Sequence, residues 1–353
     1  MADTGKILLT GATGFLGYHV AVALTSGAQS SEAGGEAREV VALVRDPDSA
    51  SAARLRELPG LTLAQGDVLD AESIERAAQG CVAVLHCAGK VSRGSTDVVE
   101  MTRVNIRGVE VVLDACKAAG VTRAVVASTS GTIGVSDDPD QVANEDDSPP
   151  LSLINRWPYY RSKYYGEQAA LERNVEGFEV VIVNPALLLG PGDLHGSSTE
   201  DVRRVLEQRM PVVPAGGYAF VDARDAARGM IQALDAGKAG RRYLLVSCNC
   251  TIQTFVNRIS RVADLGGAVF ALPDRKAVKR VTKWFVRQAQ DILGEDDALP
   301  DEASIELAQY YWYVDSTRAE NELGWSARDP MLTLADTVAD LRARGVVVLR
   351  PAR

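Results

Sequence analysis

The chain has 353 residues, 46% of them hydrophobic and 24% charged, and a formal net charge of -9. That is the composition of an ordinary globular protein, long enough for one large domain with a smaller appended lobe. The acidic balance excludes a nucleic-acid partner, which needs a basic surface to replace condensed counterions, and no apolar run reaches the roughly 18 residues of a membrane span.

In chain order, apolar β-branched runs alternate with helical patterns. A strand from Ile7 to Thr10 leads into a helix through Leu24, and a strand from Val40 to Val44 into a helix from Ser51 to Leu58. Further strands are expected at Leu61 to Ala64, Val82 to Ala88, Ala124 to Ser128 and Val180 to Asn184. Strands this continuously apolar need helices over both faces, which predicts an α/β fold, a Rossmann-type doubly wound parallel sheet. The polar stretch from Gly27 to Arg38 reads as a surface loop. Beyond Leu188 the pieces shorten, the chain returns to the sheet around Phe220 to Asp235 and Tyr243 to Ser247, and Pro273 to Asp315 is largely helical. The expected division is a nucleotide-binding Rossmann domain over 1–188, with return segments near 218–250. A smaller, mostly helical C-terminal substrate lobe takes 189–217 and 251–353. The first strand begins at Ile7 without an apolar leader, and the five cysteines are an odd number. Reduced thiols in a cytoplasm are therefore the expectation.

Gly11, Ala12, Thr13, Gly14, Phe15, Leu16 and Gly17 lie where the first strand gives way to the first helix. Glycines there permit a tight turn and let backbone N–H groups at a helix N-terminus approach a pyrophosphate. In such a fold the end of the second strand meets the adenosine ribose, where an arginine can hold a 2′-phosphate. Arg45 therefore favours NADP(H), while the adjacent Asp46 leaves NAD(H) open. After the third strand come Gly66, Asp67 and Val68, and Asp67 either faces the adenine edge or caps the helix starting near Ala71. Tyr159 and Lys163 stand at i and i+4, on one helix face, and a cation beside a phenol brings proton transfer within reach. The spacing is common by chance and needs its context. The fifth strand ends in Ser128, Thr129, Ser130, Gly131 and Thr132, where a hydroxyl could stabilise charge on a substrate oxygen or simply satisfy loop backbone.

In order and spacing, these pieces resemble the extended short-chain dehydrogenases/reductases across nearly the whole chain. The matching segments include Thr10–Gly17, Gly66–Asp70, His86–Gly89, Asn105 with Gly108, Ser128–Ser130, Tyr159–Lys163, Asn184-Pro185, Gly190–Asp193, Phe220–Asp225 and Tyr313–Ser316 ahead of Leu323–Trp325. The resemblance implies Tyr159 as acid/base, Lys163 as its pKa partner and a ligand of the nicotinamide ribose, and Ser130 as the group that polarises the substrate oxygen, with Thr132 in reserve. It also implies that Ala88 and Gly89 line the cofactor cleft, that Asn105 supports the site and that Pro185 lies beside the nicotinamide. His86, inside an apolar strand, reads as a hydrogen-bonded core residue, and three histidines without paired spacing give no metal site.

Dehydratases of this group carry an acid pair where this chain has Gly131, Thr132 and Ile133, so dehydration is disfavoured. Arg45-Asp46-Pro47, Asn184-Pro185 and the aromatic run Tyr310–Tyr313 look most like dihydroflavonol-reductase-like and hydroxysteroid-dehydrogenase-like members. The expectation is NADPH-dependent ketone reduction, or the reverse oxidation, of a bulky lipophilic molecule. The alternatives are an NAD-dependent sugar-nucleotide epimerase and a non-catalytic cofactor-binding sensor or scaffold. A homodimer is the family expectation. A basic amphipathic helix from Arg275 to Arg287 reads as a solvated face, a lid or a peripheral membrane contact.

Overall fold

A computed structural model describes residues 5–27, 36–91, 97–208, 212–265, 270–271 and 306–347. Most of the loop expected after Gly27 and all of the basic helix expected at 275–287 lie outside the described residues.

The first half alternates strand and helix: β1 (Lys6–Thr10), α1 (Phe15–Ser26), β2 (Val40–Val44), α2 (Ala50–Arg56), β3 (Leu61–Gln65), α3 (Ala71–Ala78) and β4 (Cys81–His86). Next come α4 (Val98–Thr102), a π-helical turn (Arg103–Arg107), α5 (Gly108–Ala118), β5 (Arg123–Ala127), a 3-10 turn (Ser130–Thr132), α6 (Leu151–Ile154), α7 (Pro158–Leu171) and β6 (Glu179–Pro185). The chain then runs through β7 (Leu187–Leu189), α8 (Glu200–Leu206), β8 (Val212–Val213), β9 (Gly217–Asp222), α9 (Ala223–Ala236), β10 (Arg242–Leu245), β11 (Cys248–Thr251), α10 (Ile252–Val262) and β12 (Phe270–Ala271). Last are α11 (Thr317–Leu323) and α12 (Pro330–Ala343).

Seven strands form one sheet in the order β10-β6-β5-β4-β1-β2-β3, every pairing parallel. Residues alternate between its faces with the period of two that a strand imposes. Ile7 and Leu9 enter an apolar core with Val20 and Leu24 of α1 and Met230 and Ile231 of α9, whereas Leu8 joins Val112 and Leu113 of α5 and Ile182 of β6 on the other face. The strands are continuously apolar because both faces are covered. Strand order reverses between β1 and β4, and ligands of open parallel sheets bind outside the carboxyl ends of strands at such a point.

Of the return segment expected at 218–250, α9 packs on α1 and β10 completes the large sheet. β9 does not join that sheet. It pairs in parallel with β7 and antiparallel with β11 in a three-stranded sheet. That sheet shares a second core with α8, α10 and α12, built on Leu189, Leu206, Phe220, Phe255, Ile259, Leu334 and Val338. Buried acids at the start of α9 join the two parts. Asp222 caps α9 and is held by Arg224, while Asp225 receives the Arg328 backbone N–H at 2.8 Å and its guanidinium at 2.8 and 3.0 Å. Among the described residues, no helix is long and apolar enough to cross a membrane.

Candidate functional site

The carboxyl end of β1 turns through Gly11 at φ 72°, a conformation that L side chains rarely adopt. A Cβ there would lie 2.5 Å from the Ala88 backbone nitrogen, and one on Gly17 would lie 2.1 Å from the Gly11 carbonyl. Gly14 donates its N–H to Gly11 O at 2.9 Å and is the N-cap of α1, with no side chain capping the helix. The first-turn N–H groups of α1 are thus left for an acceptor from outside the helix, as an anion site requires. Thr13, Phe15 and Leu16 complete this turn, and Phe15 and Leu16 are buried.

Beside it, β4 delivers Ala88 and Gly89. Thr10 Oγ1 lies 2.8 Å from His86 Nδ1 and accepts the Ala88 N–H at 3.4 Å. Burial lowers the His86 pKa to about 3, with Lys163 adding to the effect, so the imidazole is neutral and packs as a core residue. Gly89 is backed by two side chains: a Cβ there would stand 3.3 Å from Asn105 Oδ1 and 3.7 Å from Lys163 Nζ. Asn105, on the π-helical turn, accepts Lys90 N–H at 2.8 Å and donates to Lys90 O at 3.0 Å and Ser162 Oγ at 2.9 Å. It ties the β4 exit to the turn of α7 between Tyr159 and Lys163.

Helix α7 starts with Pro158 at its first position, where a missing N–H costs nothing. Lys163 is buried and donates to Ala127 O at 2.7 Å, at the end of β5. Burial lowers its pKa to about 8, against the opposing pull of Glu167 and Cys87. Burial also raises the Tyr159 phenol well above its ordinary range, with Tyr160 adding to it. At the β5 exit, Ser130 opens the 3-10 turn with its side chain buried, and its hydroxyl has no hydrogen-bond partner among the described residues. Thr132 is engaged elsewhere: its Oγ1 donates to Thr129 O at 2.9 Å or to Glu167 Oε1 at 2.7 Å. Gly131 must be small, since a Cβ there would come within 2.2 Å of the Tyr160 ring. That ring stacks on Trp312, with centroids 4.6 Å apart, and Trp157 packs beside both.

Sequence reasoning did not single out Glu167. It is 1% exposed and its Oε1 receives Ser128 Oγ, Thr132 Oγ1 and Asn184 Nδ2, the last two at 2.7 Å, while Oε2 faces Arg242 Nη2 at 3.3 Å. One carboxylate thereby connects α7 with the ends of β5, β6 and β10. The available signal was its position, i+4 from Lys163 and i+8 from Tyr159, an acid on the same face of the helix.

The remaining expected positions lie at strand ends and in the turns that follow them. Arg45 is exposed at the end of β2, and its guanidinium has no partner among the described residues. Asp46 is occupied locally, taking the Asp48 N–H at 2.9 Å in the turn toward α2. Asp67 accepts the Leu69 N–H at 2.9 Å, and the N-cap residue of α3 is Asp70, so Asp67 closes the preceding turn rather than capping that helix. Val68 packs against Gly108 at the start of α5. Pro185 ends β6, buried and paired with Leu245 of β10.

Residues 7–245 match the model of the NAD dependent epimerase/dehydratase family. A relative from Synechocystis sp. named as a dihydroflavonol 4-reductase is 29% identical over 352 residues, covering 98% of this chain and 97% of its own. Sterol demethylase protein B of Methylococcus capsulatus is 30% identical over 354 residues, covering 96% of this chain and 99% of its own. Among solved structures, a double mutant of the dTDP-glucose 4,6-dehydratase DesIV from Streptomyces venezuelae, with NAD bound, superposes with a TM-score of 0.73 at 25% identity, over 96% of this chain and 98% of that one.

Proposed function

Since the chain belongs to the NAD-dependent epimerase/dehydratase family of extended short-chain dehydrogenases/reductases, enzymes that work with NAD(P), we propose that it reduces the ketone of a bulky, largely apolar small molecule with NADPH. The observation that carries this reading is the convergence at the strand-order reversal. Lys163 Nζ stands against Gly89, across from the glycine turn, on the same helix face as Tyr159.

The residues fit a dinucleotide: the glycine turn leaves a cradle that any Cβ would fill, beside an uncapped helix N-terminus. Gly11, Thr13, Gly14, Phe15, Leu16 and Gly17 would hold the pyrophosphate, Asp67 and Val68 the adenine, and Ala88, Gly89 and Pro185 the nicotinamide end, with Lys163 on its ribose. Arg45 would hold the 2′-phosphate, because its guanidinium is unengaged among the described residues while the neighbouring Asp46 takes the Asp48 N–H in its own turn. The bound cofactor supplies the hydride.

This chain's residues manage the proton. Burial keeps Tyr159 a neutral phenol, the form that can donate Oη–H to a ketone oxygen as negative charge develops there. Ser130 Oγ–H donates a second hydrogen bond to that oxygen, and the Lys163 ammonium stabilises the phenolate left behind. A sterol and a dihydroflavonol, in the names of the two full-length relatives, are bulky and mostly apolar, which supports the substrate class. Dehydration fits less well: Gly131, Thr132 and Ile133 offer no carboxylic acid, and the Thr132 hydroxyl is bound to Glu167.

Fluorescence titration tests the cofactor half of the proposal. NADPH is expected to bind more tightly than NADH, and tighter NADH binding would overturn the assignment of Arg45. NADPH consumption with a lipophilic ketone, lost in Tyr159→Phe, tests the chemistry. Interconversion of sugar nucleotides without net NADPH consumption would favour an epimerase instead.

A further inference from the structure

Glu167 is a buried acid that the proton transfer described above does not use, yet its contacts reach the surroundings of both Ser130 and Lys163. Three donors converge on its Oε1: Ser128 Oγ, Thr132 Oγ1 at 2.7 Å and Asn184 Nδ2 at 2.7 Å. Its Oε2 is buried and faces the Arg242 guanidinium at 3.3 Å. Three donors on one oxygen and a cation beside the other suit an ionised carboxylate, which accepts hydrogen bonds and donates none. Such a carboxylate 2.7 Å from Thr132 Oγ1 needs that hydroxyl's proton between them, which directs the Thr132 hydrogen bond to Glu167.

Two of these contacts bracket Ser130. Thr132 follows it by two residues, and the second amide hydrogen of Asn184 goes to Thr129 O at 3.0 Å, immediately before it. The 3-10 turn from Ser130 to Thr132 is thereby tied to Glu167 on both sides. The third contact leads to Lys163. Ser128 shares a peptide unit with Ala127, whose carbonyl oxygen takes the Lys163 ammonium at 2.7 Å, while the Ser128 N–H is fixed on Val183 O at 2.7 Å. Lys163 and Glu167 also stand at i and i+4 on α7, neighbours on one helix face.

We propose that Glu167 is a positioning residue for ketone reduction: it fixes the turn that carries the Ser130 hydroxyl and supplies the negative charge that keeps Lys163 an ammonium. The inference rests on the reduction proposed above for the roles of Ser130 and Lys163. Among the described residues, the other titratable groups beside Lys163 are neutral at neutral pH. Burial lowers His86 of β4 to about 3 and raises Cys87, the next residue, to about 12, and burial raises Tyr159 of α7 as well. Glu167 is then the anion that opposes the burial of Lys163, which on balance titrates near 8. Arg242, charged throughout, meets Oε2 from β10 and leaves Oε1 to the two hydroxyls and the amide.

Two near-isosteric variants separate the two roles. Glu167→Gln removes the charge, whereas Thr132→Val removes one hydroxyl and leaves the charge. In Glu167→Gln the midpoint of Lys163 acetylation by acetic anhydride, mapped by mass spectrometry across pH, should fall about one pH unit below the parent's. The alkaline limb of kcat for NADPH-driven ketone reduction should move with it. In Thr132→Val kcat should fall about tenfold with KM and the alkaline limb unchanged, and the loss should vanish in a Ser130→Ala background, where the hydroxyl it positions is gone. An unshifted Lys163 midpoint in Glu167→Gln overturns the inference. So does an unchanged kcat in Thr132→Val, a result that does not depend on Glu167→Gln folding. A shifted midpoint in a chain that reduces no ketone would instead uphold the hold of Glu167 on Lys163 and contradict the proposed function.

Discussion

Tyr159 and Lys163 stand four residues apart on α7, and burial raises the proton affinity of the phenol while lowering that of the amine to about 8. A phenol held neutral is suited to giving a proton, and an amine titrating near 8 loses its charge at modest alkalinity. Ketone reduction is therefore expected to decline as pH rises through about 8, where Lys163 becomes neutral; a pH–rate profile checks this. Tyr159→Phe should lower kcat about 10²- to 10⁴-fold, the usual contribution of a general acid, with NADPH affinity unchanged by titration. The same burial has a signed effect on folding. The folded pKa of about 8 lies below the unfolded value, so between the two the unfolded chain binds more protons and Lys163's contribution to stability rises with pH. Below that window its charged form is held at a cost. Lys163→Met should abolish turnover without lowering Tm at neutral pH, by scanning calorimetry. Arg45→Ala should cut the preference for NADPH over NADH about tenfold, near 1.4 kcal/mol, in paired titrations.

Elements bring these residues together, and here the sequence was only partly legible. The glycine turn could be read because a Gly spacing at a strand-to-helix junction has few other uses, and its geometry makes Gly17→Ala a strong test. A Cβ 2.1 Å from a carbonyl oxygen forces the turn open, so NADPH affinity should fall about 100-fold, about 2.7 kcal/mol, by the same titration. Glu167 was harder. Its partners Ser128, Thr132, Asn184 and Arg242 come from three other strand ends, and nothing local in the sequence pairs them. Glu167→Ala leaves three donors and a cation facing a buried void, and urea unfolding should show a loss of about 3 to 5 kcal/mol. The π-helical turn carrying Asn105 was likewise invisible, since the run Arg103–Arg107 reads the same as a turn of ordinary α-helix. The placement of β9 went astray for a related reason. An apolar run states that a strand is buried but does not name its neighbour, and β9 found β7 and β11 instead of the large sheet.

At the scale of the molecule, the apolar alternation of the first half was enough to give a parallel sheet covered on both faces, whereas the second lobe, built from short pieces, gave no comparable pattern. We propose that the lobe built on β7, β9, β11, α8, α10 and α12 closes over the substrate end of the cofactor cleft, with Asp225 and Arg328 holding it to the sheet. A homodimer through α4, α5 and α7 is also proposed, where Val99 and Tyr165 present apolar surface to solvent. Sedimentation equilibrium should then give twice the chain mass. The central claim concerns net chemistry, and one assay addresses it directly: the purified chain, NADPH and a panel of lipophilic aryl and steroidal ketones, followed by loss of NADPH absorbance and identification of the product. The account predicts stoichiometric conversion of NADPH and ketone to NADP and a secondary alcohol, absent in Tyr159→Phe. No NADPH turnover with any ketone, beside interconversion of sugar nucleotides by the same preparation, would contradict it.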